Sequence, residues 1–316
     1  MRKKKLFATL TLTAILASGL LAGCGSTETK ATANETVETQ AEAETVEETT
    51  VEETAEEADV NESDEAEETT ASGESRTIKL GLTGVIYEDI WNPIKDKLAE
   101  DNIDLELIQF SDFSLPNNAL DNGEIDINAF QHHAYFNNDV STNGYDITPI
   151  GDTFIIAMNL YSDKISSVDE LKDGDTIAIP DDASNGGRAI KLLESAGILT
   201  LKEDAGKNPT LADVDTYNVQ VSITEVGAAN TPSIIPDVTA AVVNGNYALD
   251  YGIDPETAIF HETEYDDDSY FCLIAVRSDE VDDPDFKKIV ELFQSEETKA
   301  IFKDTFGGFF VPAWEQ

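Results

Sequence analysis

Three short segments gather side chains that could do chemistry. The first is Asn128-Ala129-Phe130-Gln131-His132-His133-Ala134-Tyr135-Phe136, which sets rings, imidazoles and amides in nine positions. Adjacent histidines hint at a metal, but neighbouring side chains point apart on a helix or a strand. The whole chain has only three histidines, the third being His261. The segment suits an aromatic pocket wall; core residues at a helix start are the plainer reading. The second segment is Pro180-Asp181-Asp182-Ala183-Ser184-Asn185-Gly186-Gly187-Arg188. It joins an apolar strand to a helix, with Ser184 the expected N-cap. A helix N-terminus offers free N–H groups and suits an anion. Arg188, one turn in, adds a bidentate contact for a carboxylate. Gly186 and Gly187 would let a ligand approach the backbone; a capped helix with a surface arginine explains the same residues. The glycine spacing does not fit a Walker loop, which argues against a nucleoside triphosphate. The third segment runs Ala240-Ala241-Val242-Val243-Asn244-Gly245-Asn246-Tyr247-Ala248. Asn244 stands at the C-terminal end of a strand, where open α/β sheets bind ligands. Its carbonyl can accept from an ammonium group, although Asn-Gly also makes an ordinary turn.

The elements that must position these segments follow from periodicity. Residues 77–82 alternate, with Ile78, Leu80 and Leu82 on one face. Residues 87–100 place Ile90, Trp91, Ile94 and Leu98 at helical spacing, with Pro93 expected in the first turn or so. Strands are expected at 104–110, 176–180, 219–226, 238–243 and 271–277. Helices are expected at 184–196, closed by Gly197, and at 285–293 and 295–306. Ser167 and Glu170 have capping-box spacing and predict another helix start. Short strands followed by helices indicate α/β architecture with largely parallel sheets.

The chain has 316 residues with 20 Lys+Arg against 64 Asp+Glu, a formal net charge of −44. So acidic a chain repels nucleic acid and anionic headgroups. Arg2, Lys3, Lys4 and Lys5 precede an apolar run that ends at Leu21-Ala22-Gly23-Cys24. The run is short for a membrane span and reads as a signal peptide over residues 1–23. Its end resembles a bacterial lipobox, which implies a mature chain starting at a lipidated Cys24. Residues 24–75, rich in Glu, Thr and Ala and devoid of aromatics, are expected to form a disordered acidic tether. The other cysteine, Cys272, lies in an apolar run and reads as a small buried hydrophobe.

Four stretches together resemble the methionine-binding lipoproteins of ABC importers. They are Leu115-Pro116-Asn117-Asn118-Ala119-Leu120, Gly123 to His132, Ile179 to Arg188, and Val243-Asn244-Gly245-Asn246-Tyr247-Ala248. The closing Val311-Pro312-Ala313-Trp314 is similar to that family's C-terminus. The resemblance implies a type II periplasmic-binding-protein fold of two α/β lobes joined by two crossover strands, with ligand in the cleft. Lobe 1 is expected at 76–157 plus 268–316 and lobe 2 at 158–267, with crossovers near 154–162 and 270–278. It implies that Phe130, His132 and Tyr135 wall a thioether pocket, that Asn185 and Arg188 take the carboxylate, and that Asn244 fixes the amino end. Phe113 falls where the family often has Tyr. The segment Gly81 to Tyr87 lacks the family's Gly-Pro-His, Ala134 replaces a usual Pro and Ser233 a usual Arg. The implied protein is no enzyme and needs no cofactor or metal. It is a monomer, lipid-anchored on the extracytoplasmic face of the cell membrane, delivering L- or D-methionine to a permease with its ATPase subunit. Another apolar amino acid or a methionine-containing dipeptide stays open as ligand, and a tethered adhesin or sensor stays open as a role.

Overall fold

The computed structural model describes residues 75–265 and 267–316. The expected signal peptide, Cys24 and all but the last residue of the expected tether lie outside them. The chain runs β1 (Arg76–Leu82), α1 (Glu88–Ala99), β2 (Ile103–Gln109), α2 (Pro116–Asp121), β3 (Ile127–Asn128), α3 (His133–Asn143), β4 (Ile147–Asp152) and β5 (Phe154–Ile156). It continues through β6 (Met158–Tyr161), β7 (Thr176–Pro180), α4 (Ala183–Ser195), β8 (Leu199–Leu201), β9 (Val214–Tyr217), β10 (Ser222–Val226), α5 (Thr231–Ile234), β11 (Ala240–Asn244) and α6 (Gly245–Asp250). It closes with β12 (Leu273–Arg277), α7 (Pro284–Phe293), α8 (Glu296–Asp304) and β13 (Phe310–Pro312).

Two larger sheets result, beside the two-stranded pairs β13-β5 and β8-β9. One has the order β2-β1-β3-β12-β4 and the other β10-β7-β11-β6. In the first, β1 pairs parallel with β2 and β3 while β12 runs antiparallel to β3 and β4. In the second, β7 pairs parallel with β10 and β11, and β6 is antiparallel to β11. The inner strands are apolar because both of their faces are covered. Every residue of β11 is buried, and so are the first four of β12.

Each sheet has its own core. The first gathers Trp91, Phe154, Phe286, Phe293, Phe302 and Phe310 beneath α1, α7 and α8. Trp314 closes it, with its ring 5.9 Å from Phe293 and 6.1 Å from Phe302. The second gathers Met158, Ile177, Ile179, Leu193 and Val242 beneath α4. The buried face of α1 is the expected Ile90, Trp91, Ile94 and Leu98. Pro93 is the sixth residue of that helix, deeper than the first turn. Its missing N–H leaves the Asp89 carbonyl without a helical partner. Three other expectations change. The N-cap of α4 is Asp182, not Ser184, because the Asp182 carboxylate accepts the Asn185 N–H at 2.9 Å. Ser167 and Glu170 cap only one 3-10 turn, Val168–Glu170, since Leu171 is already extended. The strand within 270–278 is not a crossover. As β12 it lies wholly between β3 and β4 in the first sheet. The chain returns ahead of it, between Phe260, bridged to Leu160, and Cys272, bridged to His132.

Candidate functional site

The C-terminal ends of parallel strands supply the site. The segment after β3 leads into α3, β7 leads through Asp182 into α4, and β11 ends on Asn244 where α6 begins. All seven residues singled out from the sequence, Phe113, Phe130, His132, Tyr135, Asn185, Arg188 and Asn244, line one cavity. Tyr87, Gln131, Ile156, Gly245, Asn246 and Cys272 complete its wall. Backbone approach is tight at Gly245. A methyl group there would lie 2.6 Å from the Ala157 carbonyl and 2.4 Å from Ile156.

One end of the cavity is aromatic. The Phe113 ring lies 6.0 Å from Phe130, 5.9 Å from Tyr135 and 4.7 Å from Tyr247. Behind it, Asn117, Asn128 and Gln131 bond to one another through buried amides. Asn117 donates to Gln131 Oε1 at 2.8 Å, and Asn128 donates to Asn117 Oδ1 at 3.0 Å. The Asp139 carboxylate accepts a further N–H from Asn117 at 2.8 Å. This network fixes the loop that carries Phe130 and His132.

The other end is polar and ordered. His132 is the N-cap of α3, and its Nδ1 accepts the Tyr135 N–H at 3.1 Å. An accepting Nδ1 puts the ring proton on Nε2, which therefore donates to Asn185 Oδ1 at 3.2 Å. Burial and the nearby Arg188 charge push the His132 pKa down to about 3, so the ring is neutral. Asn185 Oδ1 also accepts from Asn244 Nδ2 at 2.8 Å, while Asn185 Nδ2 donates to Asp182 Oδ2 at 2.9 Å. These bonds determine which way both amides face. Asn244 Oδ1 is left buried, with no hydrogen-bond donor among the described residues. A buried acceptor of this kind is costly, and it lines the cavity.

Arg188 is 3 % exposed and forms a salt bridge with Glu262, 8 % exposed. Its Nε donates to Glu262 Oε1 at 2.7 Å, and Nη2 donates to both Glu262 Oε2 and the Ile156 carbonyl. The Tyr270 ring centroid lies 4.3 Å from the guanidinium carbon. Burial opposes the charge, but the Glu262 carboxylate outweighs it and raises the Arg188 pKa. Glu262 also accepts the Met158 N–H at 2.8 Å. The sequence reading missed Glu262, Tyr270, Asp182 and Tyr247. Glu262 sits in a run with Glu264, Asp267 and Asp268, and nothing in its spacing marks it. Asp182 was visible as an Asp three residues before Asn185, a capping signal as good as Ser184. Cys272 is buried, and burial pushes its thiol up to about 12, so it offers no thiolate.

The residues after β11 and β1 also meet. Asn246 Nδ2 donates to the Thr83 carbonyl at 2.9 Å, and Asp250 Oδ1 accepts the Ile86 N–H at 3.0 Å. The segments that follow β1 and β11 therefore touch beside the cavity, which Asn246 itself lines.

Residues 78–314 match the family model described as NlpA lipoprotein. The chain belongs to the NlpA lipoprotein family. It is 38 % identical to the D-methionine-binding lipoprotein MetQ of Escherichia coli O157:H7 over 226 residues, covering 70 % of this chain and 83 % of that one. Among solved structures it resembles protein PG110 from Staphylococcus aureus, with TM-score 0.72 and 36 % identity over 74 % of this chain and 93 % of that one. It also resembles a nutrient binding protein from Burkholderia cenocepacia bound to methionine, with TM-score 0.71 and 37 % identity over 74 % of this chain and 99 % of that one. The chain thus has the two-lobed α/β fold of the substrate-binding proteins among its NlpA-family relatives.

Proposed function

We propose that this chain is the lipid-anchored substrate-binding protein of an ABC importer and that it binds free methionine between its lobes. The unmatched Asn244 carbonyl carries this reading. It faces a cavity that has a guanidinium close by and the rings of Phe113, Phe130 and Tyr135 in its wall. A methionine zwitterion fits these groups in order. Its ammonium donates to Asn244 Oδ1, its carboxylate meets Arg188 and the helix end at Asn185, and its thioether lies against Phe113, Phe130 and Tyr135. Sulfur–aromatic contact is favourable, and an unbranched chain fits an apolar wall. The names of the MetQ relative and the methionine-bound structure support the same ligand.

Closure brings lobe 1, residues 76–157 plus 268–316, against lobe 2, residues 158–267. Ligand drives it by binding the closed state better than the open one. The loaded monomer delivers its ligand to a membrane permease served by a separate ATPase subunit, while Cys24 holds it to the extracytoplasmic face by a lipid. Mass spectrometry of ligand released from natively purified protein tests the ligand, followed by calorimetry with L- and D-methionine. Methionine recovered, and heat from either form, is the expected result. A different apolar amino acid recovered, with no heat from methionine, would replace the ligand and leave the transport role. Intact mass of the membrane fraction tests Cys24: a secreted chain with a free thiol would refute the anchor.

A further inference from the structure

We propose that Glu262 is a positioning residue that sets the charge specificity of the cleft, making it select zwitterions over simple carboxylates. The proposal rests on the methionine reading above. Glu262 does not line the cavity; it borders a separate space on the far side of Arg188, with Lys191 and His261. It acts through Arg188. The carboxylate takes the Nε and Nη2 edge of the guanidinium, and Ile156 takes another N–H of Nη2. Three of the five guanidinium donors are thus spoken for. Glu262 is itself anchored, since its Oε2 accepts the Met158 N–H and its own N–H donates to Asn159 Oδ1 at 3.0 Å. Both charges are almost fully buried, so water screens them little.

The other ionisable groups nearby do not restore a positive site. His132 is neutral. The Asp182 carboxylate is bonded to Asn185 and Ser184 at the N-terminus of α4, whose dipole offsets it. A lone guanidinium would hold any apolar carboxylate that fits the aromatic end. With Glu262 in place the incoming carboxylate meets a neutral pair, and the ammonium bond to Asn244 Oδ1 decides between ligands.

Calorimetry on the full chain tests this with L-methionine and 4-(methylthio)butanoate, the same molecule without its ammonium group. The wild type is expected to bind the anion at least about a hundredfold more weakly than methionine, and Glu262→Gln to narrow that gap by about tenfold. A gap unchanged in folded Glu262→Gln overturns the proposal, because a purely structural role would weaken both ligands alike. Should the variant show no cooperative melt, methioninamide decides on the wild type. The proposal expects the amide to lose less affinity than the anion, and the reverse order overturns it. No heat from methionine but heat from leucine retires the methionine reading alone, and the same gap is then read between leucine and 4-methylpentanoate. Heat from neither amino acid overturns both readings.

Discussion

Arg188 and Asn244 both face the cavity, but losing them should cost different things. Arg188→Ala leaves the buried Glu262 carboxylate without its partner, which costs about 3–5 kcal/mol of stability, and methionine binding falls at least about tenfold. Asn244→Ala removes an acceptor that already lacks a donor, together with one neutral bond to Asn185 Oδ1, which keeps its His132 partner. It is expected to lose only about 0.5–1.5 kcal/mol of stability, much less than Arg188→Ala, while binding falls by a similar factor. Paired thermal melts and calorimetry separate the two, and equal destabilisation would show that the Asn244 carbonyl is satisfied in some other way. The adjacent histidines carry opposite pH signs. The His132 pKa of about 3 lies below the ordinary 6.5, so the unfolded chain takes up a proton that the folded chain refuses. Its contribution is complete above pH 6.5 and is lost as pH falls toward 3. The His133 pKa is raised, chiefly by its 2.7 Å bond to Asp152, so its contribution is complete below 6.5 and is lost as pH rises through the raised value. His132→Gln should therefore flatten the decline in melting temperature on acidification. His133→Gln should remove a stabilisation seen on going from about pH 8 to about pH 6. Six of the seven ligand candidates lay in segments whose residue types suit a pocket, and Phe113 came only from the family resemblance. Glu262 was not legible, because its role depends on a partner 74 positions away.

Among the elements, the tightest joint is the one between β11 and α6. Gly245→Ala would drive a methyl group into Ile156 and the Ala157 carbonyl, both next to the first crossing between the sheets. The expected cost is about 1–3 kcal/mol, together with a loss of binding, because Asn244 is the preceding residue. Gly206→Ala, where no atom lies within 4 Å of the added carbon, is the control and should be silent in both melts and calorimetry. About half of the elements could be read from the sequence because their apolar positions follow one period, as in β1 and α1, whereas α2, β3, α3, β4, β8, β9, α5, α6 and β13, mostly short, were not. The elements that were named failed only at boundaries and connections. A buried apolar strand reads the same whether it crosses between lobes or lies inside one sheet, so β12 could not be assigned from its own residues. Ser184 and Asp182 both suit a cap, and only the backbone direction chose between them.

Over the whole molecule, the closure proposed above draws on contacts that no ligand makes. The Asp250 carboxylate accepts the Ile86 N–H across the cleft. Gly84, at φ +145, allows the approach, for a methyl group there would lie 2.5 Å from Asp250 Oδ2. Asp250→Ala is expected to speed methionine release by about tenfold, with each lobe still folded. Stopped-flow release and small-angle scattering would check it, and an unchanged release rate would place the latch elsewhere. Charge works at the same scale. Residues 75–316 carry 46 acidic and 15 basic residues, so self-repulsion should be relieved by salt. Melting temperature is expected to rise between about 10 mM and about 0.5 M NaCl, and a fall would mean that attractive ion pairs such as Arg76–Asp283 dominate. The buried Asn244 carbonyl has a consequence of another kind. Closing on a molecule with no proton to give it leaves a penalty of about 1–3 kcal/mol unrelieved, which shifts such complexes roughly tenfold or more toward opening. A partner that recognises only the shut form would then be reading the identity of the cargo, and false reports of a full load would be rare.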